Sequence, residues 1–161
     1  MLQKITPRKI GARSGCFAII ASTYNARYVD AMLRAAKTEI RRAGGTPQIV
    51  RVPGAYEIPV VAARLARAAH GADQSPLSAI ICLGVILRGA TTHAAHIGEA
   101  VSNALAQIQI QHEIPVIHEV LLLENEQQAK ERCLSRTHNR GTEAAQTALT
   151  MARVMRRLRG E

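Results

Sequence analysis

Aromatic residues are nearly missing from this 161-residue chain, which has no Trp, one Phe (Phe17) and three Tyr (Tyr24, Tyr28 and Tyr56). Its core must therefore be built from Ala, Ile, Leu and Val, which is feasible because 47% of the residues are hydrophobic. Any aromatic placed in a loop becomes a candidate for ligand contact. Long apolar runs are missing too: none approaches the ~20 residues of a membrane span, and residues 1–15 have no signal-peptide core. Cysteines are too few and too scattered for a disulfide framework or a zinc knuckle. Cys16, Cys82 and Cys133 read as reduced thiols of a cytoplasmic protein. Acidic residues are short as well, with 12 Asp and Glu against 21 Lys and Arg, a net charge of +9 and a pI near 10.3. That balance attracts nucleic acid, an anionic surface or a phosphorylated metabolite. Base-stacking aromatics beside the Arg clusters would favour nucleic acid, and the sequence has none there. A basic nucleic-acid-binding protein is thus the weaker reading.

What is present alternates in pattern. Residues 1–15, with Pro7, Gly11, Gly15 and several cations, read as an N-terminal arm ahead of one domain over 16–161. Short apolar runs at 16–21, 48–52, 79–85 and 115–122 suit buried strands. Between and after them, helical spacing appears from Val29 to Ile40, over 58–70, over 92–111, from about Asn125 and over 141–159. Gly44-Gly45 closes the first helix, and Pro59 is tolerated in the first turn of the second. Strands alternating with helices predict a three-layer α/β/α sandwich with a four-stranded parallel sheet, a flavodoxin-like domain. In such sheets ligands bind beyond the carboxyl ends of the strands. The loops there are 22–25, 53–57, 86–93 and the residues after Leu122.

The unusual residues fall in those loops. Tyr24 and Tyr56 can stack on a flat heterocycle or cover the edge of the core. Glu57 can accept from a polyol or place a carboxylate at a helix start. Arg88-Gly89-Ala90-Thr91-Thr92-His93 leads into a helix, so small residues and uncapped amides could receive an anion; a plain turn with a Thr cap is the alternative. His93 at that helix start is a candidate to move protons near neutral pH. His96, three residues on, has metal-ligand spacing, yet no third ligand stands at a recognisable distance, and no metal is expected. Arg132, Arg136 and Arg140 recur every four residues and would share one face if the helix ran through them. Guanidinium groups on one face suit phosphate. The Asn139-Arg140-Gly141 break would instead turn Arg140 elsewhere.

Several of these segments together resemble the lumazine synthase family. Val52-Pro53-Gly54-Ala55-Tyr56-Glu57-Ile58-Pro59 is similar to that family's Val-Pro-Gly-small-aromatic-Glu-aliphatic-Pro segment. Gly84 through His93 is similar to its loop ending in Thr-x-His. Glu124-Asn125, Gln128-Ala129, Arg132 and the run from Asn139 to Ala145 follow its closing region in order and spacing, and Tyr24-Asn25 falls where the family has an aromatic followed by Asn. The resemblance spans residues 16–155.

It implies condensation of 5-amino-6-ribitylaminouracil with 3,4-dihydroxy-2-butanone 4-phosphate to 6,7-dimethyl-8-ribityllumazine, without cofactor or metal. By the same resemblance, Tyr24 (with Asn25 beside it) stacks on the uracil, Ala55, Tyr56 and Glu57 hold the ribityl chain, and Val85 and Ile86 line the pyrimidine pocket. Gly89, Ala90, Thr91 and Arg132 bind phosphate, and His93 shuttles protons. The implied assembly is a pentamer, or a 60-mer shell of twelve pentamers, with sites shared between subunits and riboflavin synthase as a possible partner. His118 stands where the family has a Phe that walls the adjacent subunit's site, and its imidazole is expected to make affinity depend on pH between about 5.5 and 7.5. Arg136 and Arg140 replace two family lysines, which keeps the charge for substrate binding. Ala94-Ala95 follow His93 where the family carries an aromatic and then an acid, and Glu99 precedes the usual Glu position, here Ala100. A non-catalytic flavin- or lumazine-binding relative is therefore the alternative to an active enzyme.

Overall fold

Two buried strands account for the centre of the molecule. In the computed structural model, which describes residues 15–69 and 76–161, β1 (Cys16–Ser22) and β3 (Leu77–Leu87) lie side by side. Both are covered on two faces, which is why they read as continuous apolar runs rather than alternating ones. β2 (Thr46–Val52) and β4 (Val116–Leu123) form the edges, giving a four-stranded parallel sheet in the order β2-β1-β3-β4. The arm expected at 1–15 lies, except for Gly15, outside the described residues, as does the end of the helix expected over 58–70.

Each helix buries the stripe that its spacing announces. α1 (Ala26–Arg42) places Val29, Met32, Ala36 and Ile40 inward and stops where Gly44 takes a left-handed φ of 80°. α5 (Arg140–Leu158) packs beside it through Ala144, Ala145, Ala148 and Ala152. These two helices share a core with Ile19, Ile81 and Leu83 on one face of the sheet. The contact is close at Gly141: a Cβ there would fall 2.0 Å from the Met32 carbonyl oxygen, so only glycine fits. On the other face, α2 (Ile58–Ala68) and α3 (His93–His112) cover Ala18, Ile20, Ile80 and Cys82 through Ile58, Ala62, Val101 and Leu105. The result is a three-layer α/β/α sandwich of flavodoxin-like type. Each fully buried Ile or Leu contributes about 1.5–3 kcal/mol to its stability.

This topology has one switch point. From β1 the chain moves to β2 on one side, then crosses back to β3 and β4 on the other. The crevice at the carboxyl ends of β1 and β3 is where such sheets bind ligands.

Candidate active site

The loops above that crevice are tied together by short-range chemistry. After β1 the backbone N–H groups of Thr23 and Tyr24 donate to the Pro53 carbonyl at 3.2 and 3.0 Å, joining the loop after β1 to the loop after β2. Asn25 adopts a left-handed φ of 56°, a conformation that Asn tolerates better than most residues. Its side-chain Nδ2 donates to the Val85 carbonyl at 2.7 Å, bridging the ends of β1 and β3. The Val85 side chain itself belongs to the core shared with α1 and α5, so Val85 meets the crevice through its backbone, whereas Ile86 is half-buried on the opposite face. With its backbone pinned, Tyr24 is still 75% exposed, and Tyr56 in the loop after β2 is 63% exposed.

The loop after β2 is built around Gly54 and Glu57. Gly54 N–H donates to Glu57 Oε2 at 2.8 Å, which closes a single 3₁₀ turn, Ala55–Glu57, ahead of α2. Ala55 is buried in contact range of Gly84, while Glu57 is exposed and keeps its second oxygen available. After β3, Arg88 N–H donates to the Leu123 carbonyl at 2.8 Å, and its guanidinium lies 3.4 Å from Glu124. Gly89, Ala90 and Thr91 then pass over open space, where a Cβ at Gly89 would meet nothing within 4 Å. Thr92 makes no side-chain cap at the start of α3; only Thr91 Oγ1 approaches, 3.4 Å from the His93 N–H. Beyond that long contact no side chain among the described residues caps the first amides of this twenty-residue helix, whose partial positive charge is left for a ligand. His93 is the first residue of that helix and is exposed. Among the described residues no three His, Cys, Asp or Glu side chains gather to hold a metal ion.

The expected arginine face does not form. α4 (Glu126–Ala129), capped by Asn125, widens into a π turn over Lys130–Leu134, and the chain is extended at Ser135 before α5 starts at Arg140. Such π turns often mark functional positions. Arg132 sits in this one, half-buried, with no hydrogen bond or ion pair to another described residue. Below it the turn is anchored: the Cys133 carbonyl accepts from Asn139 Nδ2 at 2.5 Å, and Asn139 Oδ1 accepts from Gly141 N–H at 2.8 Å. Burial and the neighbouring Glu119 push the Cys133 thiol up to about 12, which makes it inert.

Arg140 points elsewhere. Its Nε and Nη2 donate to the two oxygens of Glu119 at 3.0 and 2.9 Å, and Nη1 donates to Glu143. Glu119 is buried on β4; desolvation pushes its carboxyl up to about 7 against the pull of Arg140. This cluster escaped sequence reasoning, although an acid among the apolar residues of β4 was the signal for a buried partner. His118, the preceding residue, faces the other way, toward α3. Burial moves its titration below the ordinary histidine value, so the expected pH dependence centred on that value shifts downward.

The comparisons with known proteins agree with one another. The sequence pattern of the 6,7-dimethyl-8-ribityllumazine synthase family matches residues 15–156. The chain is 37% identical over 154 residues to the 6,7-dimethyl-8-ribityllumazine synthase of Aquifex aeolicus (strain VF5), covering 94% of this chain and 96% of that one. It is 36% identical over 148 residues to the 6,7-dimethyl-8-ribityllumazine synthase of Stenotrophomonas maltophilia (strain R551-3), covering 90% and 92% respectively.

Proposed function

Because the chain belongs to the 6,7-dimethyl-8-ribityllumazine synthase family, we propose that its strand-end loops bind a ribitylaminouracil and a butanone phosphate and join them. The activity is a transferase step of riboflavin biosynthesis with 6,7-dimethyl-8-ribityllumazine as product. One observation carries the assignment of the site. Exposed aromatic, imidazole and carboxylate groups sit on loops that are themselves hydrogen-bonded together at the switch point of the sheet.

In this reading Tyr24 stacks on the uracil, whose far edge meets Ile86 and the Val85 backbone. Asn25 sets the loop by its bond to Val85. Ala55, Tyr56 and Glu57 receive the ribityl chain, with the open Glu57 oxygen accepting from hydroxyls. Gly89, Ala90 and Thr91, at the uncapped start of α3, hold the phosphate together with Arg132. Arg140 stands behind, neutralised by Glu119 and Glu143, and would reach substrate only by giving up a carboxylate. Phosphate is both the binding handle and the leaving group, so fixed donors and cations there stabilise the charge that develops as it departs. His93 moves protons as the amine adds to the ketone, water leaves to form the imine, phosphate is eliminated and the ring closes. Holding two reactants side by side supplies much of the remaining acceleration. No step calls for a metal or a cofactor.

The same reading makes the protein a cytoplasmic homo-oligomer of pentamers, with His118 walling a neighbour's pyrimidine pocket and riboflavin synthase as a candidate partner. None of the described helices is long and apolar enough to cross a membrane. The test is to mix the two substrates with the protein and follow lumazine absorbance and phosphate release together, alongside particle mass. Equimolar lumazine and phosphate from a particle of five or sixty subunits is expected. Tight lumazine or flavin binding without phosphate release would instead identify a non-catalytic relative. Salt-dependent RNA binding without either would favour the basic nucleic-acid-binding reading.

A further inference from the structure

His118 is more closely specified than an exposed histidine needs to be. Its Nδ1 accepts from the Val120 backbone N–H at 3.1 Å, and its Nε2 lies 2.7 Å from Ser102 Oγ. Ser102 is half-buried on α3, and its Oγ also lies 2.7 Å from the Gly98 carbonyl oxygen. The last contact alone is ordinary, since helical serines often bond back to the carbonyl four residues earlier. Together the three bonds leave no freedom. An amide nitrogen can only donate and a carbonyl oxygen can only accept. Nδ1 must therefore carry a lone pair, the single ring proton must sit on Nε2, and Nε2–H must donate to Ser102 Oγ, whose own hydrogen goes to Gly98. A second proton on Nδ1 would point at the Val120 N–H, and burial lowers the affinity for it against a smaller opposing pull from the His118 backbone.

We propose that Ser102 is a positioning residue and specificity determinant for the condensation: it holds His118 as a neutral, Nε2-protonated ring, so that the wall of the pyrimidine pocket is an uncharged aromatic plate. The proposal rests on the reading that His118 forms this wall. Both ring nitrogens are occupied, so His118 has none left to exchange protons with substrate and is not a catalytic residue. What the lock prevents is chemical misplacement. A cationic ring beside the pyrimidine pocket would be a second anion site in an enzyme whose other reactant carries phosphate, whereas a neutral ring stacks on the diamine and ignores the phosphate ester.

The test compares wild type, Ser102→Ala and Ser102→Thr as assembled proteins. Solid-state ¹⁵N spectra of histidine-labelled protein, with His118 assigned through His118→Phe, read the tautomer directly. A wild-type ring protonated on Nε2 only, and a mixture of ring states in Ser102→Ala, are expected. Diamine affinity, measured by equilibrium fluorescence without turnover, should weaken roughly three- to tenfold in Ser102→Ala, the size of one neutral hydrogen bond. Inorganic phosphate should begin to compete with the diamine in that variant, and Ser102→Thr should restore wild-type behaviour in every measurement. A wild-type ring that is cationic or protonated on Nδ1 at neutral pH would overturn the lock whatever the activity. Unchanged diamine affinity in Ser102→Ala, with the tautomer altered, would overturn the positioning role. If wild type bound the diamine but made no lumazine, the assigned function would fail while the spectra and affinities still decided the lock.

Discussion

The strand-end crevice and the seam between β4 and α5 use the same kinds of side chain in opposite ways. At the seam, Arg140 spends three nitrogens on Glu119 and Glu143, and Asn139 uses both ends of its amide on Cys133 and Gly141. At the crevice, hydrogen bonds pin the backbones of Tyr24 and Gly54 while the Tyr24 and Tyr56 rings, the His93 imidazole and one Glu57 oxygen remain open. Arg132 and Arg140 make the contrast sharpest: among the described residues one feels Glu119 only at a distance, without a hydrogen bond or ion pair, and the other pairs directly with two carboxylates. Groups committed inside the fold hold its shape, and groups left open on a braced scaffold are available to ligand. If so, substitutions at the seam should cost stability with little change in turnover per folded molecule, and substitutions at the crevice should do the reverse.

The largest effect belongs to the seam. Glu119→Ala removes two charge-assisted hydrogen bonds and leaves Arg140 with one carboxylate, and should lower the unfolding free energy by about 3 kcal/mol in urea titration. The surviving folded molecules should turn over normally; an equal loss of turnover would blur the two regions. The pH arm sharpens this. A carboxyl whose native value is raised from its ordinary 4.5 to about 7 contributes stability that is fully present below 4.5 and lost as pH rises through 7. Wild type should therefore lose up to about 3 kcal/mol between those limits relative to Glu119→Gln, which has no such proton to release.

Next comes His93→Ala at the crevice. Turnover should fall on the order of 10²-fold, as general acid–base assistance is lost. The urea midpoint should hold, because the side chain is exposed. An unaltered rate would remove His93 from the chemistry. The smallest effect is expected from Arg132→Ala, where KM for the butanone phosphate should rise roughly ten- to a hundredfold, the worth of a charge-assisted phosphate contact. KM for the diamine should hardly move; equal increases would make Arg132 structural, like Arg140.

Local pattern carried most of the architecture. The runs at 16–21 and 115–122 became β1 and β4 within a residue or so, since an apolar strand between turn residues has few alternatives in a buried sheet. The position of the crevice followed from strand order. What stayed hidden was non-local. The four-residue arginine spacing implied one face only if a helix continued, and the π turn and the extended Ser135 break it. Glu119 and Arg140 are 21 residues apart in sequence, and Ser102 and His118 are 16 apart; both pairs meet only because α5 and α3 pack on opposite faces of β4. The expected midpoint of His118 near neutrality ignored burial, which sequence spacing does not report.

The most direct test of the contrast between the two regions is a crystal structure of the assembled protein with the ribitylaminouracil and inorganic phosphate bound. The pyrimidine is expected between Tyr24 and the 85–86 strand end, and the ribityl chain along Ala55, Tyr56 and Glu57. Phosphate should lie on Gly89, Ala90 and Thr91 with an Arg132 guanidinium from either subunit of the shared site, and the Glu119–Arg140–Glu143 cluster should be unchanged. Ligand lodged at the β4–α5 seam, or phosphate held by Arg140 after it has left Glu119, would contradict that contrast.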